Sequence, residues 1–310
     1  MCHDSLTKRQ LFAVIGLPSE MAESRFLADH AAHTLHDRLT PDSVIVLGLG
    51  AIEAHGPHLP LSTDFVLAEA TTTAAVKAFG EQLDLWQLPT LPFTKSNEHA
   101  WAPGTFWLSA TTMLAALDDL ARSLTLTPAK TLVFVNAHGG NSALLQVALR
   151  DIRLRYGLRT FLMHPWMATD EGNEMGMSIH AGHDETSLMM HVRPDLVDLS
   201  TAVRRVPEHL ADNRHVRFGG SVAFGWLSND FDHPDDVQAG SLPLGMIGDP
   251  TKANAAHGRT CFDAIVKTMG EQFDEIVRFD PRIKPGQLSQ PTHEHRHTNE
   301  DAEARTQHQQ

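Results

Sequence analysis

The stretch VIVLGLGAIEAHGPHLPLSTD, residues 44–64, decides how the rest of the chain reads. Its first half falls in an apolar, β-branched run from Ser43 to Leu49, as a strand buried on both faces requires. Gly48-Leu49-Gly50 begins like a dinucleotide fingerprint, but Glu53 takes the third glycine position, and Gly56-Pro57-His58-Leu59-Pro60 cannot open a helix there. A carboxylate would repel a pyrophosphate, so the nucleotide reading is disfavoured. Glu53 and His55 lie two apart, and on an extended chain i and i+2 project to the same side, where a carboxylate and an imidazole can share an ion. Asp64 precedes a helical pattern starting at Phe65, where a plain N-cap is an equally natural role for it.

Outward from this segment, further apolar runs at Leu85–Leu91, Thr131–Asn136 and Arg159–Met163 read as buried strands. Segments of helical character lie between them: Phe65–Phe79, Thr112–Leu124 and Ser142–Tyr156, the last with Leu145, Ala148, Leu149 and Ile152 on one face. Strand and helix in alternation imply an α/β fold with parallel strands and right-handed crossovers. No internal repeat or long linker interrupts the body, so one domain over residues 1–284 is expected. Residues 285–310 are polar and His-rich, with too little apolar surface to offset ordering entropy, and are expected to form a mobile tail.

Two more motifs carry chemistry. NAHGGNS (136–142) ends the third strand, and since ligands gather beyond the C-terminal ends of strands in open α/β sheets, His138 would stand beside Glu53 and His55 if the two strands are neighbours. HAGHDETS (180–187) places two histidines and two acids in a turn before a helix, where Asp184, Glu185 and Thr186 also suit a simple helix start. His293-Glu294-His295-Arg296-His297 satisfies the H-E-x-x-H pattern formally, but it lies in the polar tail without an apolar face to bury, so a metalloprotease site there is disfavoured. No G-x-S-x-G elbow occurs, which removes a serine hydrolase of that type.

Composition bounds the partners. Lysine plus arginine total 25 against 38 acidic residues, a formal charge of −13, which argues against a nucleic-acid binder. Twenty histidines invite a chemical explanation. Two cysteines without a C-x-x-C pair suggest a reducing, cytoplasmic setting, and no run of about 18 apolar residues offers a membrane span.

Taken together, GAIEAHGPHLPLSTD (50–64), EHAWAPGT (98–105), NAHGGN (136–141), HAGHDETS (180–187) and GMIGDPTKANAAHG (245–258) resemble the creatininase family of amidohydrolases, in the family's order. The resemblance implies a single-domain three-layer α/β sandwich with a mostly parallel central sheet, assembled as a homohexamer around small-molecule sites. It implies two divalent metal ions, zinc first, with manganese or iron as alternatives. Carried over by motif, Glu53 and His138 match ligands of one metal, His55 and Glu185 ligands of the other, and Asp64 bridges, while His180 matches the catalytic histidine. Creatininases proper carry a metal-binding glutamate where this chain has Gly140, which weakens creatinine as the substrate and turns attention to Glu185 for the missing carboxylate.

The donor chemistry agrees, because carboxylates with imidazoles suit Zn²⁺, Mn²⁺ or Fe²⁺, and a two-metal site lowers the pKa of a bound water from 15.7 to about 7. His180 would serve as general acid or base. His99, Trp166 and Gly139 are expected to contact substrate, with Trp101 and Trp107 as further candidates for the cavity wall, and His58 and His183 are expected to hold other groups by hydrogen bonds. The activity expected is hydrolysis of a non-peptide C–N bond in a small molecule. The alternatives are a formamide hydrolase or peptide-trimming enzyme of cofactor biosynthesis within the same family, and a non-catalytic metal-binding scaffold. Phe218 to Trp226 is the surface expected to be covered between subunits.

Overall fold

The computed structural model describes residues 24–166, 179–232 and 243–280. The polar tail expected at 285–310 and residues 167–177 lie outside the described residues. Four strands, β1 (Val44–Leu49), β2 (Leu85–Leu91), β3 (Thr131–Asn136) and β4 (Arg159–Met163), form one sheet in the order β2-β1-β3-β4, and every pairing is parallel. These bounds match the apolar runs to within a residue, because burial on both faces leaves no polar position inside β1 or β3 to blur the ends.

The pleat sorts those runs into two cores. Val44 and Val46 of β1 join one cluster with Val133, Val135, Val76, Ile265 and Phe273, while Ile45, Leu47 and Leu49 join the other with Phe134, Met113, Leu117 and Ile152. Helices α1 (Ala32–Arg38), α2 (Thr63–Leu83), α3 (Ala110–Leu124), α4 (Ser142–Tyr156), α5 (His183–Val192) and α6 (Ala255–Arg278) follow in chain order. The first core packs α2, α5 and α6 on one face of the sheet, and the second packs α3 and α4 on the other, giving the three-layer sandwich. Each fully buried Leu, Ile or Val contributes about 1.5–3 kcal/mol, so the two clusters supply the main drive for the fold.

Helix α1 was not expected and α3 starts at Ala110 rather than Thr112, and two further differences involve the elements around the site. Helix α2 starts at Thr63 rather than Phe65 and runs to Leu83, so Asp64 sits inside the first turn and its side chain makes no cap bond. Helix α6 was not expected, although Cys261, Ile265, Met269, Phe273 and Ile276 make a buried stripe at helical spacing.

Close approaches at glycine position the functional elements. A Cβ on Gly50 would stand 2.4 Å from the Phe65 Cα, so the bare backbone at the end of β1 is what lets the start of α2 abut it. A Cβ on Gly258 would stand 1.8 Å from the Ser187 carbonyl oxygen, where α5 and α6 touch backbone to backbone. Backbone cannot yield as a side chain can. Gly258→Ala is therefore expected to cost about 1–3 kcal/mol, read as a lower urea midpoint at unchanged m.

Candidate metal centre

The parallel register brings the motifs together. Leu49 pairs with Asn136, so the chain leaving β1 with Glu53 and His55 runs beside the chain leaving β3 with His138. The first turn of α2 adds Asp64, and the turn before α5 adds His180 and Glu185. Ala181 between them adopts φ 55°, a left-handed conformation costly for a non-glycine residue, and its N–H donates to Glu185 Oε2 at 2.6 Å. That bond holds the turn and aims both side chains.

All five residues read from the sequence as ligands are buried and within reach of one another. His55 Nε2 stands 3.2 Å from Asp64 Oδ1, 3.6 Å from Glu185 Oε1 and 4.0 Å from Glu53 Oε1. His138 Nδ1 stands 3.0 Å from Asp64 Oδ2 and 3.3 Å from Glu53 Oε1. His180 lines the same pit with Nδ1 3.8 Å from Glu53 Oε1.

Each imidazole is anchored from behind. His55 Nδ1 faces the Glu53 carbonyl at 3.1 Å, His138 Nε2 the Lys95 carbonyl at 3.0 Å, and His180 Nε2 the Ala54 carbonyl at 2.7 Å. A carbonyl oxygen can only accept, so the outer nitrogen of each ring must carry the proton. The inner nitrogen of a neutral ring then turns its lone pair toward carboxylate oxygens, an arrangement that repels unless a cation lies between. Glu53 Oε1 and Asp64 Oδ2 are buried and accept no well-aligned hydrogen bond, despite the nearby rings. Those two oxygens and the lone pairs of His55 and His138 fit bound cations.

The electrostatics point the same way. Burial alone would lower His55, but Asp64 and then Glu185 hold it well above its ordinary value. His138 is likewise raised against burial, by Glu53 and Asp64. Burial would raise Asp64, yet His55 and His138 keep it well below the usual carboxylate range. The pit is strongly negative and calls for positive charge. Crowding by the other rings acts in the opposite sense on His99, which burial and then His180, His55 and His138 push far down. His58 falls to about 4, chiefly by burial, and its neutral ring shares a 2.9 Å hydrogen bond with the Thr186 hydroxyl, tying residues 55–60 to α5.

A cavity of about 310 Å³ opens onto the cluster, lined by Asp64, His138, Gly139, His164, Trp166, Ile179, His180 and Glu185. Trp166 and Gly139 thus lie on its wall. His99 does not: it is buried behind it, stacked on His180 at 4.4 Å with Nε2 3.5 Å from Glu53 Oε1. Trp101 faces away and donates to Ser228 Oγ, and Trp107 is half exposed off the cavity. A larger open groove of about 680 Å³ near Arg25, Glu69 and Lys77 has no histidine in its lining.

One member of the cluster is absent from the sequence reading. Glu98 is buried with Oε1 3.3 Å from His138 Nε2 and Oε2 2.9 Å from Lys95 Nζ. Burial would raise its carboxyl, but His138 and then Lys95 hold it at about 2. A Cβ on Gly140 would lie 1.7 Å from Glu98 Oε1, so the Glu98 carboxylate occupies the volume a side chain at 140 would need. Its neighbour His99 marks the motif, but nothing in the spacing tells that Glu98 and residue 140 compete for one space. Gly140→Ala is expected to destabilise the fold by about 1–3 kcal/mol, and Glu98→Ala in the same chain to recover most of that loss. Additive unfolding free energies in the double variant would show that the two positions do not share this volume.

A family model, Creatininase (creatinine amidohydrolase), matches residues 28–273. The chain belongs to the creatininase family. Within it, the chain is 32% identical over 241 residues to the mycofactocin precursor peptide peptidase of Mycolicibacterium smegmatis, spanning 77% of this chain and 86% of that one. It is 32% identical over 189 residues to the creatinine amidohydrolase of Pseudomonas putida, spanning 54% and 70%. Among solved structures, a creatininase with Mn superposes with a TM-score of 0.62 at 22% identity, over 84% of this chain and all of that one. A Zn-Zn creatininase mutant gives 0.63 at 23%, with the same coverage. As a creatininase-family member, the protein is a hydrolase acting on carbon–nitrogen bonds.

Proposed function

We propose that this creatininase-family hydrolase is metal-dependent and cleaves a non-peptide C–N bond in a small amide, lactam or formamide. One observation carries the reading: imidazoles tethered through one nitrogen to backbone carbonyls turn the other toward buried carboxylate oxygens, two of which accept no aligned hydrogen bond. Glu53 and His138 would hold one ion, His55 and Glu185 the other, with Asp64 shared and Glu98 beside His138. Zn²⁺ suits these donors, and Mn²⁺ or Fe²⁺ are accepted by the same set. Bound there, two divalent cations supply an activated water and polarise a carbonyl.

The chain's own groups do the rest. His180, on the cavity wall, passes a proton to the departing nitrogen, without which an amide leaves poorly. Trp166 supplies an apolar wall, and Gly139, whose Cβ position has nothing within 4 Å, leaves room for substrate. A space of about 310 Å³ admits a small molecule or the end of a peptide, not a folded protein.

A second reading, trimming of a short peptide, is favoured by the 32% identity to the mycofactocin precursor peptide peptidase. The discriminating experiment loads the full chain with Zn²⁺ or Mn²⁺ and assays lactams, formamides, creatinine and short peptides for released amine. Turnover of the small amides alone supports the first reading. Cleavage of peptides alone replaces it with the second, and a folded, metal-loaded protein that cleaves nothing removes both.

The setting goes with this reading: a cytoplasmic enzyme with one catalytic domain over residues 1–284 and a polar tail, assembled as a homohexamer. Phe218, Phe224, Trp226 and Phe231 pack on one another with centroids 5.2–6.1 Å apart, beside exposed Val216, Val222 and Leu227, a surface suited to burial against another subunit. Sedimentation showing only monomer at micromolar concentration would remove the oligomer.

A further inference from the structure

The two halves of the candidate centre are alike where they face the ions and differ behind the imidazoles. Behind His55 the outer nitrogen meets a neutral group, the Glu53 carbonyl at 3.1 Å. Behind His138 the outer nitrogen meets the Lys95 carbonyl at 3.0 Å, and a carboxylate oxygen as well, Glu98 Oε1 at 3.3 Å. Glu98 is buried, and its other oxygen accepts from Lys95 Nζ at 2.9 Å.

We propose, resting on the two-ion reading above, that Glu98 is a positioning residue that acts through His138, and that its charge makes the Glu53–His138 ion bind more tightly than the His55–Glu185 ion.

Charge, rather than a hydrogen bond, is what Glu98 adds. The one N–H on the outer side of His138 aligns with the Lys95 carbonyl, which already fixes the tautomer. A ring whose inner lone pair is shared with a cation gains positive character. An anion behind the ring stabilises that charge and raises the basicity of the inner nitrogen. Burial keeps water from screening the interaction. Lys95 does not cancel it: its side chain is 26% exposed against 10% for Glu98, so solvent shares the ammonium charge while the carboxylate turns Oε1 to the ring.

Two loops fix the carboxylate in place. The 3₁₀ turn Asn97–His99 folds Glu98 back over Lys95. The Lys95 N–H donates to Asn141 Oδ1 at 3.2 Å, and Asn141 Nδ2 donates to Asn136 Oδ1 at 3.1 Å, so this loop is fastened to the end of β3 that presents His138. A Cβ at Gly140 would overlap both Glu98 Oε1 and His138 Nε2, so the carboxylate stands beside the ring only because residue 140 has no side chain.

Metal affinity tests this without any assay of turnover. Mn²⁺, an ion that carboxylate-rich sites suit, is titrated into the chelator-stripped full-length protein, and free Mn²⁺ is counted by its electron paramagnetic resonance signal. The expected result is two equivalents bound with separate constants, of which Glu98→Gln weakens the tighter by about 10–100-fold and the looser far less. Gln keeps the volume, so a packing role alone would leave both constants unchanged. Wild-type protein that binds two ions with equal constants overturns the proposal whether or not the variant folds. So does folded Glu98→Gln protein with an unchanged tighter constant, or with an equal loss at both. Complete loss of one equivalent makes Glu98 a ligand rather than a positioning residue and overturns it too. Each of these results leaves the two-ion reading standing, whereas wild-type protein that binds no divalent ion removes both.

Discussion

Asp64→Asn is expected to lower amide turnover by about 10³-fold or more and to empty the purified protein of divalent metal, while leaving the far-ultraviolet circular dichroism unchanged. The substitution keeps volume and one oxygen, so the fold of α2 has little reason to change. What it removes is the negative charge placed between His55 Nε2 and His138 Nδ1, at 3.2 and 3.0 Å, on the carboxylate that stands nearer to both rings than Glu53 does, at 4.0 and 3.3 Å. An amide nitrogen there presents hydrogen atoms to one of them. Metal assistance is worth several kcal/mol of transition-state stabilisation, and each 1.36 kcal/mol is tenfold in rate, which sets the size of the loss. Elemental analysis and initial rates on the same preparation check it. Retention of two metal equivalents with near-normal turnover would show that Asp64 bridges nothing and that its first-turn position is only favourable placement of an acid at a helix N-terminus.

The same residue shows how far the sequence could be read. Strand ends were legible because β1 and β3 are buried on both faces, so their apolar runs stop where burial stops. The role of Asp64 was not settled by local pattern: S-T-D before an apolar run is what a helix start looks like, and only the packing of α2 against Gly50 turns the side chain inward. Glu98 lay inside a motif already noticed for His99, but its place depends on filling space above Gly140, a fact about two loops meeting rather than about either loop. His99 was read for its chemistry and proves to be a ring stacked behind His180, with burial keeping it neutral. His257, which hydrogen-bonds Asp184 of α5, sits on α6, a helix whose periodic stripe was visible while the identity of its neighbour was not. Periodicity reports which face is buried; it does not say against what.

His180→Gln is expected to separate catalysis from metal binding. The ring lines the cavity, donates through Nε2 to the Ala54 carbonyl at 2.7 Å and stacks between His55 and His99 at 4.3 and 4.4 Å. Its Nδ1 is farther from Glu53 Oε1, at 3.8 Å, than is Nδ1 of His138, at 3.3 Å, so the ring can offer a proton without being needed to hold an ion. General acid–base catalysis of this kind contributes about 10²–10⁴-fold, and turnover should fall by that factor with metal content unchanged. The loss should also depend on the substrate. An amide with a strongly basic leaving amine needs the proton and should show the full effect, whereas an activated anilide or ester of the same acyl group departs without it and should lose far less. A uniform loss across leaving groups, or loss of metal along with activity, would place His180 among the ligands and leave the proton to another group at the cavity.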